Sequence, residues 1–176
     1  LAVDVFRRRG DGSVVVTLDA DTFEVLRSTA REVAAIVAEP PDQEVSDRLF
    51  PRAYLDPTEE QAEQELRDLT HSDLVQTRLT ALEAVTDDLE IREVGRRGRV
   101  EIVLAPGQEQ LWLTALNDAR LVFGTLLGVT QDEQADYKAT DPRYEYGVVY
   151  RFLSALQQEL VELLLGEMPP GADEEF

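Results

Sequence analysis

The stretch PGQEQLWLTALNDARLVFGTLLG, residues 106–128, decides how the rest of the chain is read. Pro106 suits the opening of a helix and Gly128 suits its close, so the spacing predicts a helix over roughly 107–127. Along it Leu111, Trp112, Ala115, Leu116, Ala119, Val122, Phe123, Leu126 and Leu127 cover well over half of the circumference. A surface helix shows one apolar stripe, whereas a helix apolar on this much of its surface is packed from more than one side. It belongs at the centre of the fold. Asn117, Asp118 and Arg120 interrupt it, and polar groups on a buried helix need partners. They are expected to bridge to neighbouring elements, for example the acidic loop 130–142. The alternative is a patch that binds a partner.

Working outward, residues 89–94 and 99–104 alternate as strands around Gly95-Arg96-Arg97-Gly98, which reads as a hairpin. Val3 to Arg9 and Ser13 to Leu18 flank Gly10-Asp11-Gly12 in the same way. Asp19 or Asp21 can cap a helix in which Phe23, Leu26, Ala30, Val33, Ala34 and Val37 form one stripe, ended by Pro40-Pro41. Residues 40–56 read as irregular, pinned by Leu49-Phe50 and Tyr54-Leu55. A helix is expected over 57–69, a break at Thr70-His71-Ser72, and a further helix over 73–87 burying Leu74, Leu79, Leu82 and Val85. A last amphipathic helix is expected over 144–165, and 166–176 as an acidic disordered tail. The fold class is therefore α+β, mainly helical, with about five helices and two β-hairpins in a single domain over residues 1–165.

The order helix, short turn, helix, hairpin over 57–104 is also that of a winged helix, with Arg96, Arg97 and Arg99 at the wing tip. Against that, the would-be recognition helix carries Asp73, Glu83, Asp87 and Asp88 against Arg78. The plainer arrangement is one antiparallel sheet, made of both hairpins, lying under the helices.

Charge and composition narrow the function. The net charge is −19, from 36 acids against 17 basic residues. Such a field repels nucleic acid and anionic membrane at long range. Positive charge survives in the two hairpins, so Arg7, Arg8, Arg9, Arg96, Arg97 and Arg99 are the candidate nucleic-acid contacts. Lys138 is the one lysine, a bias best read as coding composition. With no cysteine among the 176 residues, disulfides, thiolate nucleophiles and thiol switches within them are excluded. No apolar run reaches membrane-span length, and residues 1–9 place arginines after the apolar stretch, the reverse of a signal peptide, so a cytoplasmic protein is expected. Catalytic material is sparse: His71 is the one histidine, and no phosphate loop, nucleophile elbow or zinc motif occurs. Acid pairs such as Glu59/Glu63 or Asp132/Asp136 could hold a hard cation or serve a hydrolase, but 36 acids make chance adjacency the better account. No enzyme activity, metal or cofactor is expected.

The segments Phe6-Arg7-Arg8-Arg9-Gly10-Asp11-Gly12, Arg48-Leu49-Phe50-Pro51 with Ala53-Tyr54, and above all Trp112 to Val129 resemble one actinobacterial family. It is the oxidative stress regulator AosR family, long treated as a domain of unknown function and often encoded beside the ClpS protease adaptor. The resemblance covers residues 4 to about 165. It implies a cytosolic regulator of transcription without enzyme activity, working with a sigma factor or RNA polymerase. An adaptor of a ClpS-linked protease pathway is the alternative that gene neighbourhood suggests. Where the family's regulation depends on cysteine oxidation this chain departs from it, since it has no thiol to oxidise.

Overall fold

A computed structural model describes residues 5–54, 56–90, 93–94, 98–129 and 137–166. The elements run β1 (Phe6–Arg8), β2 (Val14–Leu18), α1 (Ala20–Ala38), α2 (Gln43–Leu49), a short 3-10 turn (Pro57–Glu59), α3 (Glu60–Glu90), β3 (Glu93–Val94), β4 (Val100–Leu104), α4 (Gln108–Leu126) and α5 (Tyr144–Leu165). The fold is α+β, and both hairpins join one four-stranded antiparallel sheet in the order β1-β2-β4-β3. Register fixes its inner face. Phe6 pairs with Val16, and Val16 with Ile102, while Val14 pairs with Leu104 and Leu18 with Val100. All of these side chains are buried and point into the common core. Arg7, Val15 and Val103 form one cross-strand row on the opposite face, because strand side chains alternate.

The central position expected of residues 107–127 is observed: α4 packs against α1, α2, α3 and α5. Trp112 on it is fully buried, with its ring edge-on to Phe6 at 6.2 Å and its indole N–H donating to Asp88 Oδ2 at 2.8 Å. Gly107 starts the helix with φ +95°, a conformation that favours glycine, and its own N–H donates to Glu109 Oε2 at 2.8 Å. Asp19 is the cap of α1, accepting from Thr22 N at 2.8 Å.

Two expectations need correction. The break at Thr70-His71-Ser72 does not form, and the two helices expected over 57–69 and 73–87 are one helix of 31 residues. Nothing between Glu60 and Glu90 is glycine or proline, and threonine, histidine and serine each cost a helix well under about 1 kcal/mol relative to alanine. Thr70 Oγ1 turns back onto Leu66 O at 2.8 Å, so its hydroxyl finds a partner without leaving the helix. The winged-helix order at 57–104 therefore fails, since it requires two helices at an angle. Leu74, expected in the core, is 48% exposed, while Leu82, Val85 and Leu89 further along are buried.

The second correction is α2, inside the stretch read as irregular. Asp42 caps it by accepting from Val45 N at 2.9 Å, and Val45 and Leu49 are buried. With Phe50 they do pin this connection to the core, whereas Tyr54 is 37% exposed and Leu55 lies outside the described residues. Of the acidic tail expected at 166–176, all but Gly166 lies outside them as well.

Candidate functional site

The polar residues of α4 form two separate bridges. Asp118 is fully buried and takes a guanidinium N–H of Arg78, on α3, while Arg78 Nη2 donates to Leu49 O at 2.6 Å. Arg78 also lies over the Phe50 ring at 5.4 Å. One arginine thus ties α3, α4 and the end of α2 together. Burial lifts the Asp118 carboxyl to about 6, with Arg78 pulling the other way. Its Oδ2 is buried without a hydrogen-bond partner among the described residues. Arg120 reaches α5, donating from Nε to Ser154 Oγ at 3.0 Å and from Nη1 to Gln157 Oε1. Gln157 Nε2 in turn donates to Asn117 Oδ1 at 3.4 Å. Bridging was expected of Asn117, Asp118 and Arg120, but their partners are α3 and α5. The acidic loop suggested for them supplies none of these bonds, and residues 130–136 of it lie outside the described residues.

The candidate nucleic-acid arginines are not gathered into one patch. Arg7 and Arg9 are exposed. Arg8 donates to Gly12 O at 2.9 Å and lies 3.5 Å from Glu109 Oε1, which holds the first hairpin against the start of α4. Arg96 and Arg97 lie outside the described residues, and Arg99 is half-buried. Because β2 and β4 are antiparallel, Val14 pairs with Leu104 and Leu18 with Val100. Arg9, beside the first turn, therefore sits at one end of the sheet and Arg99, just before Val100, at the other. Four strand steps of about 3.3 Å separate these ends.

His71 is an exposed residue of α3, with its ring against Phe50 at 4.8 Å between centroids. Glu63 accepts from Tyr54 N at 2.9 Å, Ala53 N at 3.0 Å and Arg67 Nε at 3.0 Å. The Tyr54 N–H bond leads these partners in holding its carboxyl below the ordinary range. It anchors the connection after α2, and Glu59 does not share its contacts. Asp132 and Asp136 lie outside the described residues. Among the described residues no group of three or more His, Asp or Glu side chains could hold a metal ion.

Sequence reading missed a groove between α1 and the first turns of α5. It encloses about 760 Å³. Its apolar surface includes Val25, Tyr144, Tyr146 and Val148, four of the ten large hydrophobic residues that are exposed among those described. These four line one groove, whereas the other six are spread over the rest of the described surface. Phe123 and Tyr146 meet at 5.6 Å in its floor, Phe152 lines it, and Asp21, Glu32 and Glu145 stand around it with no basic residue. The available signal was that Tyr144, Tyr146 and Val148 fall off the buried stripe of α5.

A family model described as Domain of unknown function (DUF2017) matches residues 3–164. The chain belongs to this family. Neither the curated proteins nor the solved structures give a match to it. For this DUF2017 chain no helix among the described residues is long and apolar enough to cross a membrane.

Proposed function

We propose that this DUF2017 chain is a non-enzymatic regulatory protein associated with transcription, and that it acts by protein contacts made in the groove between α1 and α5. The observation that carries the reading is the groove itself: exposed valines and tyrosines over an aromatic floor, edged by Asp21, Glu32 and Glu145. Contiguous exposed apolar surface with a polar rim marks an interaction site, and tyrosine is enriched in such sites. The acidic edge selects a partner segment that is apolar on one face and basic at its flanks. A sigma factor or RNA polymerase in the cytoplasm is the partner the resemblance to the AosR family implies. Direct DNA contact is secondary in this reading. Arg8 is engaged by Glu109, and Arg9 and Arg99 lie at opposite ends of the sheet, so binding through them should be weak and steeply salt-dependent. Co-purification from the native cell tests the assignment. Sigma factor or RNA polymerase subunits retained by the chain support it. Protease subunits in their place would move the assignment to a ClpS-linked adaptor.

A further inference from the structure

A second cavity, of about 230 Å³, lies between α2, α4 and α5, and shares no lining residue with the groove. Arg48, Asn117, Arg120, Thr125 and Tyr150 supply its polar wall, and no carboxylate lines it. That is unexpected in a chain with 36 acids and 17 basic residues. Elsewhere Arg27, Arg31, Arg52, Arg67, Arg78 and Arg143 each pair with an acid. Arg48 and Arg120 have no carboxylate within ion-pair distance among the described residues, yet both face the same small space.

The wall is also built. Arg120 is held by neutral oxygens alone, Ser154 Oγ and Gln157 Oε1, which orient the guanidinium without cancelling its charge. A guanidinium has five N–H donors, and the Nη2 group of Arg120 makes no hydrogen bond among the described residues. Asn117, which also lines the cavity, accepts from Gln157 with its oxygen, so its amide N–H groups are not used in that bond. Tyr150 packs its ring against Gly124, where an added Cβ would come within 3.2 Å of the ring carbon Cε2. The glycine lets the ring close the wall, with the Arg120 guanidinium 5.8 Å from its centroid. The Tyr150 hydroxyl is likewise without a protein partner among the described residues.

We infer that this cavity binds a small oxyanion, the phosphate or carboxylate group of a metabolite, between the guanidinium groups of Arg48 and Arg120. Arginine forks match both groups in geometry, and two guanidinium groups whose charge no neighbouring carboxylate offsets favour an anion between them. The volume lies below the roughly 300–1,000 Å³ of sites for drug-sized molecules, which restricts the ligand to a small metabolite. The purified full chain is titrated calorimetrically with inorganic phosphate and, separately, with succinate, each against sodium chloride at equal ionic strength. A saturable response beyond the chloride control is expected. Saturation by phosphate alone assigns a phosphorylated ligand, by succinate alone a carboxylate, and by both an oxyanion of either kind. Arg48 is exposed and makes no hydrogen bond or ion pair among the described residues, so Arg48→Gln keeps the wild-type melting temperature and weakens binding by about tenfold or more. The inference is overturned by chloride-like responses to both probes, or by Arg48→Gln binding as tightly as wild type.

Discussion

Trp112 and Asp118 sit just under two turns apart on α4 and test opposite kinds of burial. Trp112 has no exposed surface and gives its indole N–H to Asp88. Trp112→Ala should cost about 3–5 kcal/mol through lost burial and the cavity left behind, enough to leave a typical domain poorly folded. Near-wild-type melting of that variant would contradict the central placement of α4. Asp118 is a buried acid whose carboxyl is lifted from 3.8 to about 6. Between those values the native chain holds a proton that the unfolded chain releases. Its contribution is therefore fully present below the unfolded pKa and lost as pH rises through the folded one. On this shift about 1.4 kcal/mol remains at about pH 5 and almost none at about pH 7.5. Asp118→Asn has no such proton. In urea unfolding the wild type should gain on it by about that amount between the two pH values, and a constant difference would exclude the shift. That Asn117, Asp118 and Arg120 needed partners was legible from their place in an apolar helix. Which partners was not, because Arg78 and Gln157 lie 40 residues away on other elements.

Elements were legible where periodicity was long. The limits expected for α5, 144–165, are those observed, and α4 differs from its expected range by one residue at each end. Each carries an apolar repeat over five or more turns, which outweighs any local ambiguity. Residues 43–49 offered only Val45 and Leu49 between prolines, too little repeat to tell a short helix from a loop. Residues 70–72 misled for the reverse reason. Their polarity resembles a turn, but with no glycine or proline the backbone has no cause to leave the helix. His71→Pro separates the two arrangements. Within a continuous α3 the ring removes a hydrogen bond and clashes with the preceding turn, costing about 3 kcal/mol or more. In a turn between two helices it would be tolerated, so a melting temperature close to wild type would contradict the 31-residue helix.

For the whole molecule, the sequence conveyed the sign of the surface but not its distribution. The charge of −19 opposes broad nucleic-acid attraction, and the two basic hairpins invited a single patch. Strand register prevents that for Arg9 and Arg99, since β2 and β4 run antiparallel and put Val14 and Val100 at opposite ends of the sheet. The groove was hidden because it is made by residues over a hundred positions apart, Val25 on α1 and Val148 on α5, each unremarkable alone. The absence of cysteine acts at this scale too. Mild peroxide or diamide should leave oligomeric state and partner affinity unchanged, and a change reversed by a thiol reductant would contradict it. The central claim is that function runs through the groove. Val25 and Val148 are both 41% exposed, so Val25→Arg with Val148→Arg should leave melting unchanged while placing positive charge where a basic partner segment docks. The decisive measurement is the affinity of this double variant for the partner retained in co-purification, beside wild type. The account predicts a loss of at least about a hundredfold, the scale of a removed interface hot spot. Wild-type affinity in a variant that melts normally would place the partner elsewhere and contradict it.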